Sequence, residues 1–371
     1  MTVNVRRRQL ALASSAALAQ FALPGISFAQ SQLLKPGSVP TVDSLTIKVI
    51  TDSGYDTPRA SGNKFVKVSR VPTNSRTDYR KALHSEWGLS LGLESKIGSD
   101  TRNLLLDFGY TSQALINNMD LVGVDGNKVQ GFVMSHGHYD HFGGLLGFLE
   151  KYRANLPADL PLYAGGEDNF CLRLQGTGQP GHFADWGVLD RADLQKHRVR
   201  IVTCAEPTVV MGHAFTTGHI KRTSFESVFP NTRVEYFKRG TVGCDLPEEN
   251  AKAGGKHAAD THIHEHGTCF NVKDRGLVVI SSCGHAGIVN TTRQAMEVSG
   301  VKKVHAVMGG FHLFPAGEEY LRKAVAEMQK LNPDAIIPMH CSGPQLTIIL
   351  RELLGDKLIT STTGTTFQFG A

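Results

Sequence analysis

The stretch Ser135-His136-Gly137-His138-Tyr139-Asp140-His141 holds three histidines and one aspartate within six residues. Such density is unusual in this chain, since its 371 residues include only 16 histidines. Two imidazoles two residues apart in an extended turn can face the same way and bind one metal ion, while Asp140 and His141 offer an oxygen and a nitrogen to a second ion. The spacing therefore predicts a two-metal site that begins with His136, His138, Asp140 and His141.

Short apolar strands and helices alternate around this stretch. A strand is predicted over residues 130–134 and a helix over 143–152, and the same order returns from residue 276 onward. Histidines 285, 312 and 340 each follow a predicted strand, and ligands of α/β sheets gather beyond the carboxyl ends of strands. The pattern predicts an α/β fold with two sheets between helices, and residues 153–270 are less regular. The later strands are expected at 277–281, 304–308 and 335–338, and the later helices at 289–298, 318–331 and 345–353.

These motifs resemble the metallo-β-lactamase superfamily. The pattern His136-x-His138-x-Asp140-His141 is its hallmark, and Asp107-Phe108-Gly109 looks like the segment that precedes it. Residues 85–90, 283–290, 309–313 and 340–343 resemble the branch named for 7,8-dihydropterin-6-methyl-4-(ribofuranosyl)aminobenzene-phosphate synthase. The resemblance implies an αββα sandwich over residues 31–371, with two mixed sheets between helices and a dinuclear metal site at one edge.

The resemblance also implies later metal ligands. The segment Thr216-Thr217-Gly218-His219 resembles the one that supplies a third histidine to the first ion, although His219 could equally lie behind the ligands. His340 resembles the last histidine of the second ion. No aspartate follows the strand at 277–281, so we expect His285 to replace the usual bridging carboxylate. Cys283 is either a thiolate ligand or, as we prefer, a small buried residue.

Two further groups of histidines leave alternatives open. His312 lies in a Gly-Gly-Phe-His loop, where it either faces substrate or metal or packs beneath the loop. The alternation of His262, His264 and His266, with His257 nearby, could form a metal-binding face, but a solvated strand face is the preferred interpretation.

The function expected from these residues is hydrolysis of an ester, lactone, amide or phosphodiester in a small molecule. A metal-bound hydroxide would attack, Asp140 would orient it, and His312 would protonate the leaving group, so Asp140 and His312 are the catalytic candidates. Two divalent ions are expected, with zinc preferred and manganese or iron as alternatives. Iron-dependent redox or oxygen chemistry is the alternative function, and a non-catalytic ligand-binding role is a third.

Residues 1–30 read as a secretory signal of the twin-arginine type. Arg6, Arg7 and Arg8 are followed by an apolar stretch from Leu10 to Leu23 and by small residues before Gln30. The mature protein is therefore expected in the periplasm or outside the cell. Three units of the net charge of +5 belong to this segment, so the remainder carries +2 and no footprint for nucleic acid.

The sequence predicts no membrane span beyond the signal and does not indicate an oligomeric state. No other apolar run approaches the length that a span requires. The six cysteines show no CxxC pair, and mostly free thiols are expected.

Overall fold

The computed structural model describes residues 33–35, 37–54, 62–71, 81–229, 232–235, 242–244 and 257–370. The predicted signal sequence at residues 1–30 lies outside them, and residues 31–371 form one compact unit. The strands of the described residues are β1 (Thr41–Val42), β2 (Ser44–Thr51), β3 (Lys67–Arg70), β4 (Ser90–Ile97), β5 (Asp100–Leu106), β6 (Gly131–Met134), β7 (Leu160–Ala164), β8 (Leu172–Gly176), β9 (Phe183–Asp185), β10 (Val199–Thr203), β11 (Val209–Val210), β12 (Ala214–Thr216), β13 (Thr232–Glu235), β14 (His257–Ala259), β15 (Thr268–Val272), β16 (Gly276–Ser281), β17 (Val304–Gly310), β18 (Ala335–Met339) and β19 (Thr365–Gly370). Their α-helices are α1 (Ser112–Val122), α2 (Tyr139–Phe142), α3 (Leu145–Tyr152), α4 (Arg191–Lys196), α5 (Ile288–Ser299), α6 (Glu318–Leu331) and α7 (Pro344–Leu354).

Two large mixed sheets form the centre of the molecule. The first has the order β10-β7-β6-β5-β4-β2-β19-β3, in which the strands from β10 to β5 run parallel and the others pair antiparallel. The second has the order β11-β12-β15-β16-β17-β18, with β1 beside β15 and with β16, β17 and β18 parallel. Mixed sheets were expected, and they are confirmed.

Apolar side chains from both sheets meet in one buried layer. Ile47 and Leu91 of the first sheet and Val278 and Met308 of the second belong to the same cluster. On the far side of the first sheet a second cluster joins it to α1 and α3, and on the far side of the second sheet a third cluster joins it to α5, α6 and α7. The order of layers is helix, sheet, sheet, helix, because each sheet buries both of its faces.

A third sheet has no counterpart in the sequence prediction. Its four strands have the order β14-β13-β8-β9 and come from the stretch interpreted as irregular. Each strand has only three to five residues, and β13 pairs antiparallel with β8 and β14, which lie far from it in the chain. Such short strands give too few alternations for a period to be recognised.

The parallel strands bring their carboxyl ends to one region. His136 follows β6, His285 follows β16 and His340 follows β18, as the alternation of strands and helices predicted. The predicted helix at 143–152 corresponds to α3, which begins at Leu145. A separate short helix, α2, precedes it within the histidine motif and was not predicted.

Two features bear on the surroundings of the protein. Within the described ranges, none of the helices combines the length and apolar character needed to cross a membrane. Cys171 and Cys244 form a disulfide, whereas the other four cysteines are buried free thiols, in agreement with the expectation of mostly free thiols.

Candidate metal centre

The motif after β6 folds into a tight turn that gathers its side chains. The ring of His136 lies 4.5 Å from that of His138 and 4.2 Å from that of His141, measured between centroids. Gly137 allows this turn, because a Cβ atom there would lie 2.1 Å from the carbonyl oxygen of Asn169. The four predicted motif residues therefore share one buried site.

The second sheet adds residues from the opposite side. The ring of His285 lies 4.7 Å from that of His138, and Nε2 of His340 lies 3.3 Å from Oδ2 of Asp140. His262, from the loop before β15, stacks on His285 at 3.9 Å between centroids. Three groups of potential metal ligands contain a histidine of the motif, and the ligand atoms of each group lie within 4.8 Å of one another. They are His138 with His262 and His285, His136 with Cys283 and His285, and His141 with Cys283 and His340.

The donor atoms in this cluster are suited to metal ions. Buried polar atoms almost always have hydrogen-bond partners, and those without one need an explanation. Nine of the buried side-chain atoms without a hydrogen-bond partner among the described residues belong to this cluster. Nitrogen with carboxylate oxygen is a donor set for Zn²⁺, Mn²⁺ or Fe²⁺. The nine atoms are Nε2 of His136, His141, His312 and His340, both ring nitrogens of His262 and His285, and Oδ1 of Asp140.

Burial keeps four imidazoles of this site in the neutral form that binds metals. It lowers the pKa of His138 to about 4 and takes the pKa of three others well below the usual value, namely those of His136, His262 and His285. Burial also lowers the pKa of His340, but Cys341 and Asp140 outweigh it and raise that pKa to about 9. Without an ion, His340 therefore keeps a proton that metal binding would displace.

The carboxylate of Asp140 is ionised in this setting. Burial raises its pKa, but the neighbouring His141 and His340 lower it by more, so that the pKa lies below the usual range. Asp140 thus offers a charged oxygen to an ion.

A second layer of hydrogen bonds fixes the ring orientations. Oδ2 of Asp107 lies 2.7 Å from Nδ1 of His141, and the Ser135 hydroxyl bonds the same carboxylate at 2.7 Å. Oδ2 of Asp260 lies 3.4 Å from Nε2 of His138 and accepts a hydrogen bond from Nε of the fully buried Arg173 at 3.0 Å. With Nε2 of His138 beside Asp260, its Nδ1 is the nitrogen left for an ion.

The backbone is strained at several of these positions. Asp107, His262, His312 and His340 all have positive φ values, between 48° and 58°. Non-glycine residues rarely adopt this left-handed conformation, and it persists where surrounding contacts enforce it, often at functional sites.

Comparison with known proteins agrees with the geometry. Residues 97–170, which include the motif, match the model of the metallo-beta-lactamase superfamily. The crystal structure of Tm1679, described as a metal-dependent hydrolase of the beta-lactamase superfamily, covers 87% of this chain and 98% of its own, with a TM-score of 0.61 and 21% identity. The fold is that of the metallo-β-lactamase superfamily.

Two archaeal proteins are similar in sequence. The 7,8-dihydropterin-6-methyl-4-(beta-D-ribofuranosyl)-aminobenzene-5'-phosphate synthase of Methanocaldococcus jannaschii is 27% identical over 268 residues, which are 71% of this chain and 84% of that protein. The uncharacterized protein MJ0448 of the same organism is 27% identical over 261 residues, with 68% and 84% covered. The resemblance to the synthase branch is therefore confirmed.

The structure departs from two expectations about histidines outside the motif. The structure does not bring His219 into the ligand groups, since its side chain is exposed. The preferred interpretation of His262, His264 and His266 as a solvated face is wrong, because all three are buried at 1% exposure or less. The side chain of His257 lies outside the described residues.

The three buried histidines have separate environments. His262 joins the ligand group of His138, His264 pairs with Asp168 at 2.7 Å, and Nε2 of His266 bonds the carbonyl oxygen of Met134 at 3.0 Å. Their alternation in the sequence was the available signal for His262. No local signal pointed to Asp260 or Arg173.

Aromatic side chains flank the metal-ligand candidates. The ring of Trp186 lies 4.6 Å from that of His138, and the ring of Trp87 lies 5.0 Å from that of His340. Phe314 contacts both Trp87 and His312, and Trp87 and Phe314 are 46% and 49% exposed. Large exposed apolar rings beside a polar centre are typical of a ligand site.

Proposed function

We propose that this protein is an exported metal-dependent hydrolase that acts on an ester, lactone, amide or phosphodiester of a small molecule. The observation that carries the proposal is the convergence of unpartnered, buried imidazole and carboxylate atoms from both sheets. A purely structural histidine cluster would pair these atoms with one another or with the backbone.

The residues divide into two ligand sets. His136, His138 and His285, with His262 beside them, would hold one divalent ion, and Asp140, His141 and His340 would hold the other. Zinc suits this donor set best, with manganese and iron as alternatives. Such ions would lower the pKa of a water molecule and polarise the carbonyl or phosphoryl oxygen of the substrate.

Two residues of the chain would orient the nucleophile and protonate the leaving group. Asp140 has one oxygen near His340 and one without a hydrogen-bond partner, so it can orient a nucleophilic water. His312 lies 4.0 Å from His285 between ring centroids, and its Nε2 is available to pass a proton to the leaving group. Trp87, Phe314 and Trp186 would bind an apolar part of the substrate.

Export is supported by two independent features. The first 30 residues have the basic start, apolar stretch and small residues of a signal sequence. The disulfide between Cys171 and Cys244 is typical of proteins that function in an oxidising compartment. Fusion of residues 1–30 to a folded reporter would test export, and a reporter retained in the cytoplasm would contradict it.

A second candidate is a synthase reaction. The named archaeal relative, with 27% identity over 71% of this chain, is a synthase and favours this alternative. The iron-dependent redox alternative stays a prediction, which the metal analysis below also tests.

The deciding experiment combines metal analysis with an activity screen. The mature protein, purified without tag or chelator, is analysed by elemental mass spectrometry beside the variant His136→Ala/His138→Ala. About two equivalents of zinc or manganese are expected at the histidine centre of the wild type, with metal and hydrolysis both reduced in the variant. Esters, lactones, amides and phosphodiesters form the screen.

Two further variants sharpen the result. His219→Ala is expected to keep the full metal content because its side chain is exposed, and His182→Ala is the matched surface control. Full hydrolysis by the metal-depleted double variant would overturn the proposal. Iron as the main metal would favour the redox alternative.

A further inference from the structure

Two cysteines and a histidine converge at the carboxyl ends of three adjacent parallel strands. Cys283 follows β16, His312 follows β17 and Cys341 follows β18. Sγ of Cys283 lies 3.2 Å from Sγ of Cys341 and 3.5 Å from Nδ1 of His312. All three side chains are buried, and their ligand atoms lie within 4.8 Å of one another.

The other free thiols of the described residues differ from this pair. Cys204 and Cys269 are also buried, but neither belongs to a group of potential metal ligands. Sγ of Cys204 lies 3.6 Å from the carbonyl oxygen of Val202. Burial alone therefore does not explain why two thiols and an imidazole meet beside the histidine cluster.

We propose that Cys283, Cys341 and His312 form an additional, sulfur-rich metal position that adjoins the histidine centre. The position would bind a thiophilic divalent ion such as Zn²⁺, and Cd²⁺ or Co²⁺ can serve as probes. Two thiolates around a tetrahedral zinc at about 2.3 Å per bond lie about 3.8 Å apart, so the sulfur atoms need to separate by roughly half an ångström. Two Cys and one His are a recognised zinc donor set.

Metal binding to the cysteines releases protons. Any S–H bond that is present breaks as a sulfur–metal bond forms, and its proton passes to the solvent. No oxidant is required, since both sulfur atoms and the ion keep their oxidation states. Ligation through Nδ1 of His312 leaves Nε2 with its proton, which is the atom that the proposed function uses.

The position lies against the histidine centre rather than apart from it. Cys283 also belongs to the groups of His136 with His285 and of His141 with His340. An ion held by the sulfur atoms would therefore fix the loop that carries both Cys283 and His285. The sulfur-rich position goes beyond the proposed hydrolysis, because it would hold a metal ion without the motif histidines.

The test is titration of the metal-free full-length protein with Co²⁺, followed by absorption spectroscopy. Thiolate-bound cobalt gives an intense sulfur-to-metal charge-transfer band that histidine-bound cobalt lacks. The variants are Cys283→Ser and Cys341→Ser, and the matched controls are Cys204→Ser and Cys269→Ser, which remove buried thiols elsewhere. The variant His136→Ala/His138→Ala separates the two kinds of site.

The wild type is expected to show the band and about three equivalents of cobalt. Both Cys283→Ser and Cys341→Ser should lose the band and one equivalent, the controls should keep both, and the double histidine variant should keep the band. A band that survives in Cys341→Ser, or is absent from the wild type, would overturn the proposal.

A second measurement does not depend on variant folding. Alkylation of the wild type, read by peptide mass spectrometry, should modify Cys283 and Cys341 faster after chelation than in the metal-loaded protein, although both thiols are buried. Equal modification in both states, or a disulfide between these two cysteines, would also refute the inference.

Discussion

Asp260 connects the buried cation of Arg173 to the metal-ligand candidate His138. Its Oδ2 lies 3.0 Å from Nε of Arg173 and 3.4 Å from Nε2 of His138. Because such outer partners fix the orientation and basicity of a ligand, Asp260→Asn is expected to weaken metal affinity roughly 10–100-fold. Competition with a chromophoric chelator measures the change.

Asp334→Asn is the matched control for Asp260. Oδ2 of Asp334 lies 2.9 Å from Nδ1 of His305, a histidine that belongs to none of the ligand groups of the described residues. This variant should keep wild-type metal affinity even where its stability falls. Equal affinities of Asp260→Asn and the wild type would show that the carboxylate does not support His138.

His266 makes stability depend on pH. Burial lowers its pKa to about 4, whereas the unfolded chain has the ordinary value near 6.5. The unfolded state binds more protons between these values, so this contribution is full above pH 6.5 and is lost as the pH falls toward 4, about 3 kcal/mol in all. His266→Gln keeps a donor for the Met134 carbonyl but does not titrate, so its unfolding free energy should fall less between pH 6.5 and 4.

Urea unfolding of both proteins across this range measures the difference. Parallel curves for the wild type and His266→Gln would mean that His266 does not stay neutral in the folded protein. Other buried histidines contribute equally to both proteins and cancel in the comparison.

Local sequence was enough to identify part of the site. His136, His138, Asp140 and His141 lie within six residues, and their spacing alone indicates metal binding. Asp260 and Arg173 are 87 residues apart and meet only because the third sheet pairs distant strands. Their contact depends on tertiary structure that no local pattern encodes.

At the scale of elements, Glu265 holds the loop that carries His285. Its carboxylate accepts hydrogen bonds from the backbone N–H groups of Gly284, His285 and Ala286, at 2.8, 3.0 and 2.5 Å. Glu265→Gln replaces one acceptor with a donor facing these groups. We expect a loss of about 1.5–3 kcal/mol in unfolding free energy, together with weaker metal binding, because His285 is no longer held in place.

Glu226→Gln provides the comparison. Glu226 accepts from the N–H groups of Val289 and Asn290 in the first turn of α5, at 3.2 and 3.0 Å. A similar loss of stability is expected, but with metal affinity unchanged. Thermal denaturation and chelator competition on both variants separate the two effects, and equal metal affinities for both would contradict the role of Glu265.

Long periodic elements were predictable, and short ones were not. The helix predicted over 318–331 has the same bounds as α6, because its buried residues recur with a helical period over 14 residues. The strands of the third sheet are too short to show a period, so the stretch that contains them was interpreted as irregular. The error about His262, His264 and His266 has a related cause, since their burial depends on contacts with residues distant in the chain, namely His138, Arg173 and Met134.

At the scale of the whole molecule, the candidate ligands join the two halves of the sandwich. His136 and His138 extend from the first sheet, His285 and His340 from the second. The ions that these ligands would hold bind the folded state alone, so each should stabilise the protein by about 4 kcal/mol at a free concentration near 1,000 times Kd. Removal of the metal with a chelator is expected to lower Tm by on the order of 10 °C.

The control for metal removal is the variant His136→Ala/His138→Ala. It lacks ligands from the first sheet, so its Tm should lie near that of the metal-free wild type and respond much less to chelator. Calorimetry of both proteins measures the difference in Tm with and without chelator, and zinc is added back at the end. If the chelator leaves the wild-type Tm unchanged, the ligands do not join the sheets through an ion, and the buried unpartnered nitrogens need another explanation.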